Sequence, residues 1–258
     1  MFEVQELSVA FQRYSGFFSR EKVIQLNNIS LKISQGEILT IIGHSGAGKS
    51  LLAHAILNLL PPNAMIDGQI FYKNQKLNEN LLKQLRGKKI SILPQQISYL
   101  DPTARIKKQI KWAAKRAGVK TLLNERLSAV GLDNAVGNLY PHQLSGGMAR
   151  RVLMAQAITG EGKLLIADEP TSGLDPETRD SILLQLRNYA NAGGAVLLIT
   201  HDLIPTLKFS DRVAVLNQGE MCCLVPSSDF VGTGDRLPSP YVQALWRALP
   251  QNGFLNYA

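Results

Sequence analysis

GHSGAGKS, Gly43 to Ser50, fits the pattern G-x-x-x-x-G-K-[ST] at every fixed position. Gly43, Gly46 and Gly48 permit backbone conformations and close approaches that a Cβ would obstruct, so successive N–H groups can converge on phosphate oxygens. His44, Ser45 and Ala47 inside the loop and Leu51 just after it belong to the same cradle. Lys49 supplies a point charge to the β- and γ-phosphates, and the Ser50 hydroxyl is placed to ligate Mg2+. The flanks agree: EILTII (Glu37 to Ile42) reads as a buried strand, and LLAHAILNLL reads as a helix whose N-terminus faces the anion.

Outward from that loop the chain reads as α/β. On the N-terminal side, residues 2–11 and 23–33 alternate as antiparallel strands separated by the polar and aromatic segment RYSGFFSREK. Phe11 or Tyr14 there is a candidate to stack on an adenine ring, with edge packing as the other reading of each. On the C-terminal side come a turn (PPNAMIDG), a strand (QIFYK), a polar helix near 78–86, and an apolar strand (KISILP) ending at Gln95 and Gln96. From 103 to 137 the pattern turns helical, which predicts a helical insert in the α/β core.

LSGGM (Leu144 to Met148) follows and enters a helix; Ser145, Gly146 and Gly147 at that start form a second anion-binding loop. KLLIADEP is a strand with Asp168 and Glu169 at its carboxyl end, where ligands sit in open parallel sheets. Two adjacent carboxylates beside a triphosphate suit a division of labour: Asp168 holds Mg2+ through water and Glu169 polarises the attacking water. TSGLDPETR turns into a helix at Pro176, AVLLIT is another core strand, and His201 stands just past its end, where an imidazole can sense a γ-phosphate. The stretch DRVAVLNQGEMCCLV reads as a hairpin turning at Gly219, and PSPYVQALWRALP as a short amphipathic helix closed by Pro250.

Composition narrows the class. No apolar run approaches the ~20 residues that cross a bilayer, and Glu3 and Glu6 interrupt any signal-peptide core, so the expectation is a cytoplasmic, soluble protein. Cys222 and Cys223 are neighbours in a strand and should point to opposite faces, which favours core packing over a disulfide or metal site. The net charge of +8 admits nucleic acid, an anionic membrane face or a solvated surface. Lys107, Lys108, Lys111, Lys115, Arg116 and Lys120 form its densest stretch, read here as a solvated helix face without the aromatic interleaving of a base-stacking surface.

The full set is GHSGAGKS, a glutamine after the next core strand, LSGGM, LLIADEP, SGLD and His201, in that order. It resembles the nucleotide-binding subunit of an ATP-binding cassette (ABC) transporter over nearly the whole chain. YPHQLSGGM and PSPYVQALWRALP are similar to the oligopeptide, dipeptide and nickel importer branch. The resemblance implies a RecA-like core with an antiparallel β subdomain (about 1–98 and 160–235), a helical subdomain (about 99–159) and a short C-terminal extension (236–258). It implies ATP and Mg2+ as ligands, Phe11 as the adenine-stacking residue with Tyr14 as second choice, and Gln95 as the glutamine touching Mg2+ or water. Gln96 is the alternative, because this loop is one residue shorter than in most relatives. Ser145, Gly146 and Gly147 would reach a nucleotide held by the opposite subunit; Asp168 would be the Walker B aspartate, Glu169 the catalytic base, Asp175 the D-loop aspartate and His201 the switch histidine.

The implied assembly is a head-to-tail pair of ATPase subunits, expected as a heterodimer, on two membrane permease subunits fed by an extracytoplasmic binding protein. It would sit at the cytoplasmic face of the inner membrane, with peptides or nickel and metal chelates as cargo. The short, cysteine-free C-terminal region tilts the expectation toward nickel or metal chelates. The competing class is a soluble ABC ATPase acting on nucleic acid or the ribosome, which the basic charge suits and the absence of a coiled coil or metal-binding module does not.

Overall fold

The computed structural model describes residues 1–14, 20–120, 122–160 and 162–249, with Pro250 and the polar tail outside that set. It divides into two compact units, one of Met1–Ile33, Ile38–Leu77 and His201–Ala258, the other of Ser34–Glu37 and Asn78–Thr200.

In the first unit, β1 (Phe2–Tyr14), β2 (Arg20–Ile33), β4 (Ala64–Tyr72) and the two-residue β5 (Gln75–Lys76) form an antiparallel sheet in the order β2-β1-β4-β5. Both long strands exceed the expected 2–11 and 23–33, because pairing continues from Phe11↔Val23 to Tyr14↔Arg20. The register shifts between Val4 and Leu7, where Glu6 takes a left-handed backbone (φ 52°), and Asn28 does the same on β2 (φ 53°). Each bulged N–H is satisfied across the ladder: Glu6 N donates to Ser30 Oγ at 2.9 Å and Asn28 N to Ser8 Oγ at 2.9 Å.

The same unit holds the parallel pair β3 (Ile38–Ile42) and β9 (Arg212–Asn217), with β10 (Glu220–Pro226) antiparallel to β9. The β9–β10 turn is Gln218-Gly219, both at positive φ, as a two-residue hairpin turn needs. Helices α1 (Lys49–Ile56), α7 (Leu203–Leu207) and α8 (Pro240–Arg247) complete it. Trp246 and Val242 of α8 join Val213, Val215, Phe230 and Cys223 in one buried cluster.

The expectation that Cys222 and Cys223 face opposite ways is corrected here. A register shift between Met221 and Cys223 breaks the alternation, so Cys223 lies in that cluster and Cys222 packs against it. Burial pushes the Cys223 thiol up to about 11, so at neutral pH it packs as a small neutral group.

In the second unit β6 (Ile90–Leu93), β7 (Leu164–Asp168) and β8 (Ala195–Ile199) run parallel, with β7 between the others. Every residue of β7 and β8 is buried. Strands covered on both faces read as unbroken apolar runs, which is what LLIA and AVLLI are. Helices α2 (Glu79–Leu85), α3 (Ile106–Ala117), α4 (Leu123–Ser128), α5 (Gly146–Ala157) and α6 (Pro176–Asn191) surround them, and the described residues from 97 to 157 contain helix and 3-10 turns but no strand.

Candidate nucleotide site

The phosphate loop follows β3 directly. Gly43 sits where an added Cβ would lie 2.3 Å from Leu216 O, and Gly48 (φ 97°) where it would meet Leu26 Cδ2 at 2.6 Å, so neither position accepts another residue without displacement. Gly46 (φ 84°) has open space where a Cβ would be, leaving the backbone accessible. The loop is tied down at both ends. Ala47 N donates to His44 O at 3.1 Å, Gly219 N to Ala47 O at 3.2 Å, and the His44 ring pairs with Asn217 Oδ1 at 3.1 Å.

Lys49 opens α1 and is buried, its ammonium donating to Gly43 O at 2.7 Å and His44 O at 3.0 Å. A loop that encloses an ammonium with its own carbonyls, and that has no room for a side chain at Gly43 or Gly48, fits a bound triphosphate. Ser50 is half-buried beside Lys49, Leu51 follows it, and Ser45 is exposed in the loop. Phe11 is half-buried within β1 rather than at its end. Its strand passes the loop: Val9 pairs with Leu26, the residue against Gly48, and Phe11 lies two positions further along. The side chain of Tyr14 lies outside the described residues.

In the second unit the apolar strand β7 delivers Asp168 and then Glu169 in a buried setting, at 4% and 7% exposure. Glu169 takes a left-handed backbone (φ 48°), and its N–H donates to Ile199 O at 2.8 Å, so β8 holds the turn. A non-glycine residue there is uncommon enough to mark the position. Ser145 caps α5, its Oγ accepting from Met148 N at 3.2 Å, with Ser145 and Gly146 exposed at the helix start. Asp175 caps α6 through Thr178 N at 2.9 Å, and this hydrogen bonding lowers its carboxyl pKa below the ordinary aspartate value. The two helix starts meet, since a Cβ on Gly147 would lie 3.1 Å from Thr178 Cγ2.

Gln95, Gln96, Gly146, Arg150, Ser172 and Gly173 border one open cavity of about 480 Å3. Both glutamines are exposed, and Gln96 Oε1 accepts from Ser98 Oγ at 3.1 Å within its own turn. Sequence reasoning missed Arg150. Buried in α5, it donates to Pro94 O at 3.3 Å, and burial pushes its guanidinium below the usual arginine range while the Glu169 carboxylate acts in the opposite direction. Nothing in ARR separates it from Arg151, since each arginine stands four residues after a glycine of the pair Gly146 and Gly147. His201 follows β8 and Thr200, exposed.

Residues 26–172 match the family model described as ABC transporter. The chain belongs to the ABC transporter family. The cassette is 34% identical to the dipeptide transport ATP-binding protein DppD of Bacillus subtilis, over 96% of this chain and 76% of that one. It is 35% identical to the oligopeptide transport ATP-binding protein OppD of Lactococcus lactis subsp. cremoris, over 96% and 75%. Among solved structures, the cassette resembles the dimeric bacterial ABC transporter cassette MJ0796 with TM-score 0.76 and 27% identity, covering 88% of this chain and 99% of that one. It also resembles a post-hydrolysis state of MJ0796 bound to ADP and Pi, with TM-score 0.75 and 28% identity over 88% of this chain and 99% of that one. The ABC cassette identified here is accordingly an ATP hydrolase with the α/β cassette fold. Among the described residues no helix is long and apolar enough to cross a membrane.

Proposed function

We propose that this chain is the ATP-hydrolysing subunit of an importer for di- and oligopeptides, working on the cytoplasmic face of the membrane with two permease subunits and an extracytoplasmic binding protein. The observation that carries this is the likeness to two peptide-transport ATPases across 96% of the chain. Segment 99–159 serves as the helical subdomain within the cassette.

Each residue has a role in that reading. Lys49 and the loop N–H groups bind the triphosphate, and Phe11 stacks on its base. Among the described residues no three His, Cys, Asp or Glu side chains cluster; in this reading Ser50, Asp168 and Gln95 would supply oxygens to a divalent cation. That sparse oxygen set, completed by phosphate and water, is what Mg2+ accepts. Bound Mg2+ would neutralise charge developing on the phosphates. Glu169 takes the proton of the attacking water, and His201 contacts the γ-phosphate. Gln95 is favoured over Gln96 as the coupling glutamine because Gln96 is engaged with Ser98. Ser145, Gly146, Gly147 and Asp175 contribute across a dimer interface to the nucleotide of a second, different ATPase chain; the similar cassette MJ0796 is dimeric. ATP that binds the closed pair better than the open one drives closure.

Uptake in a strain lacking this chain tests the reading: labelled dipeptide uptake should fall to background and return on complementation. Dipeptide uptake unchanged, with nickel uptake lost instead, would overturn the peptide assignment.

A further inference from the structure

We propose that the exposed face of α3 is a docking surface for the anionic phospholipid headgroups of a membrane. The segment 105–120, RIKKQIKWAAKRAGVK, carries seven lysines and arginines and no acidic residue, against a net charge of +8 for the entire chain. Nearly all of the excess positive charge therefore resides in one helix and its ends.

The helix separates this charge from its packing face. Ile106, Gln109, Ile110 and Ala114 are buried, while Lys108, Lys111, Trp112 and Lys115 are exposed at i, i+3, i+4 and i+7, one continuous stripe. Arg105 and Lys107 are turned aside, both donating to Asn138. The acidic residue just before the helix, Asp101, accepts from Thr103 N and Oγ1 in its own turn, and these bonds, with a smaller contribution from Lys108, hold its carboxyl low.

One aromatic stands in the stripe. Trp112 is 44% exposed, and Lys108 Nζ lies 5.3 Å from its ring centroid. An indole held in water amid lysines is poorly placed for packing but well placed at the headgroup level of a bilayer, where amphipathic rings concentrate. Lysine point charges around it match a diffuse anionic surface, each contributing to attraction that fades within a Debye length. A nucleic-acid surface would call for several open aromatic faces or arginine forks; here a lysine already covers the single ring. Because the apolar side of α3 is committed to the protein interior, the helix would lie against the headgroups rather than insert.

No residue of the stripe belongs to the nucleotide site, so this inference and the transport reading fail independently. The test is co-sedimentation of the purified full chain with vesicles of phosphatidylcholine alone or mixed with phosphatidylglycerol. Binding should need phosphatidylglycerol and weaken with added salt. Lys108→Gln/Lys111→Gln/Lys115→Gln, all at exposed positions, should bind about a hundredfold more weakly with an unchanged circular dichroism spectrum. Brominated phosphatidylglycerol should quench tryptophan emission in the wild type and much less in Trp112→Phe, since the remaining Trp246 is buried. No binding to phosphatidylglycerol at low salt, wild-type binding by the triple variant, or tighter binding of an oligonucleotide than of vesicles through the same lysines would each overturn the proposal.

Discussion

The Lys49 ammonium rests on two carbonyl oxygens of its own loop, 2.7 and 3.0 Å away, in a buried position. Replacing it removes the positive charge from the cradle while the glycine geometry around it persists. Lys49→Ala should therefore weaken ATP binding by at least tenfold, the scale of one lost charged hydrogen bond, and equilibrium titration with a fluorescent ATP analogue checks it. At this scale much was legible. Gly43 and Gly48 stand in the motif because a Cβ at either meets neighbouring atoms under 3 Å away, and the pattern already demanded glycine there. Arg150 was not legible, because its burial and its relation to Glu169 come from the packing of α5 rather than from any local spacing.

Among elements, the strands read most clearly and their ends least. The runs LLIA and AVLLI have no polar alternation because β7 and β8 are covered on both faces. The apolar spacing Phe2, Val4, Leu7, Val9 carries a three-residue step where β1 bulges, and Leu26, Ile29, Leu31, Ile33 carries the matching step on β2. The step marks the bulge in the sequence itself, whereas the extension of both strands beyond Phe11 and Val23 has no apolar pattern to announce it. Similarly, the bulge at Cys222 defeats a strict two-residue period. The helix α8 makes a testable contribution: Trp246 is buried, meets Phe230 edge-on at 5.6 Å, and donates from Nε1 to Gly232 O at 2.9 Å. Trp246→Ala should destabilise the fold by about 3–5 kcal/mol, measured by urea unfolding.

For the molecule as a whole, the phosphate-loop residues Lys49 and Ser50 fall in one compact unit and the carboxylates Asp168 and Glu169 in the other. Phosphate binding by the loop and water activation by Glu169 should then be separable by substitution. The most direct measurement is the steady-state rate of ATP hydrolysis by the assembled transporter carrying Glu169→Gln. The account predicts turnover reduced by about 10²–10⁴-fold, with ATP affinity retained and the ATPase pair trapped closed. Hydrolysis at close to the wild-type rate would contradict it and remove Glu169 as the base.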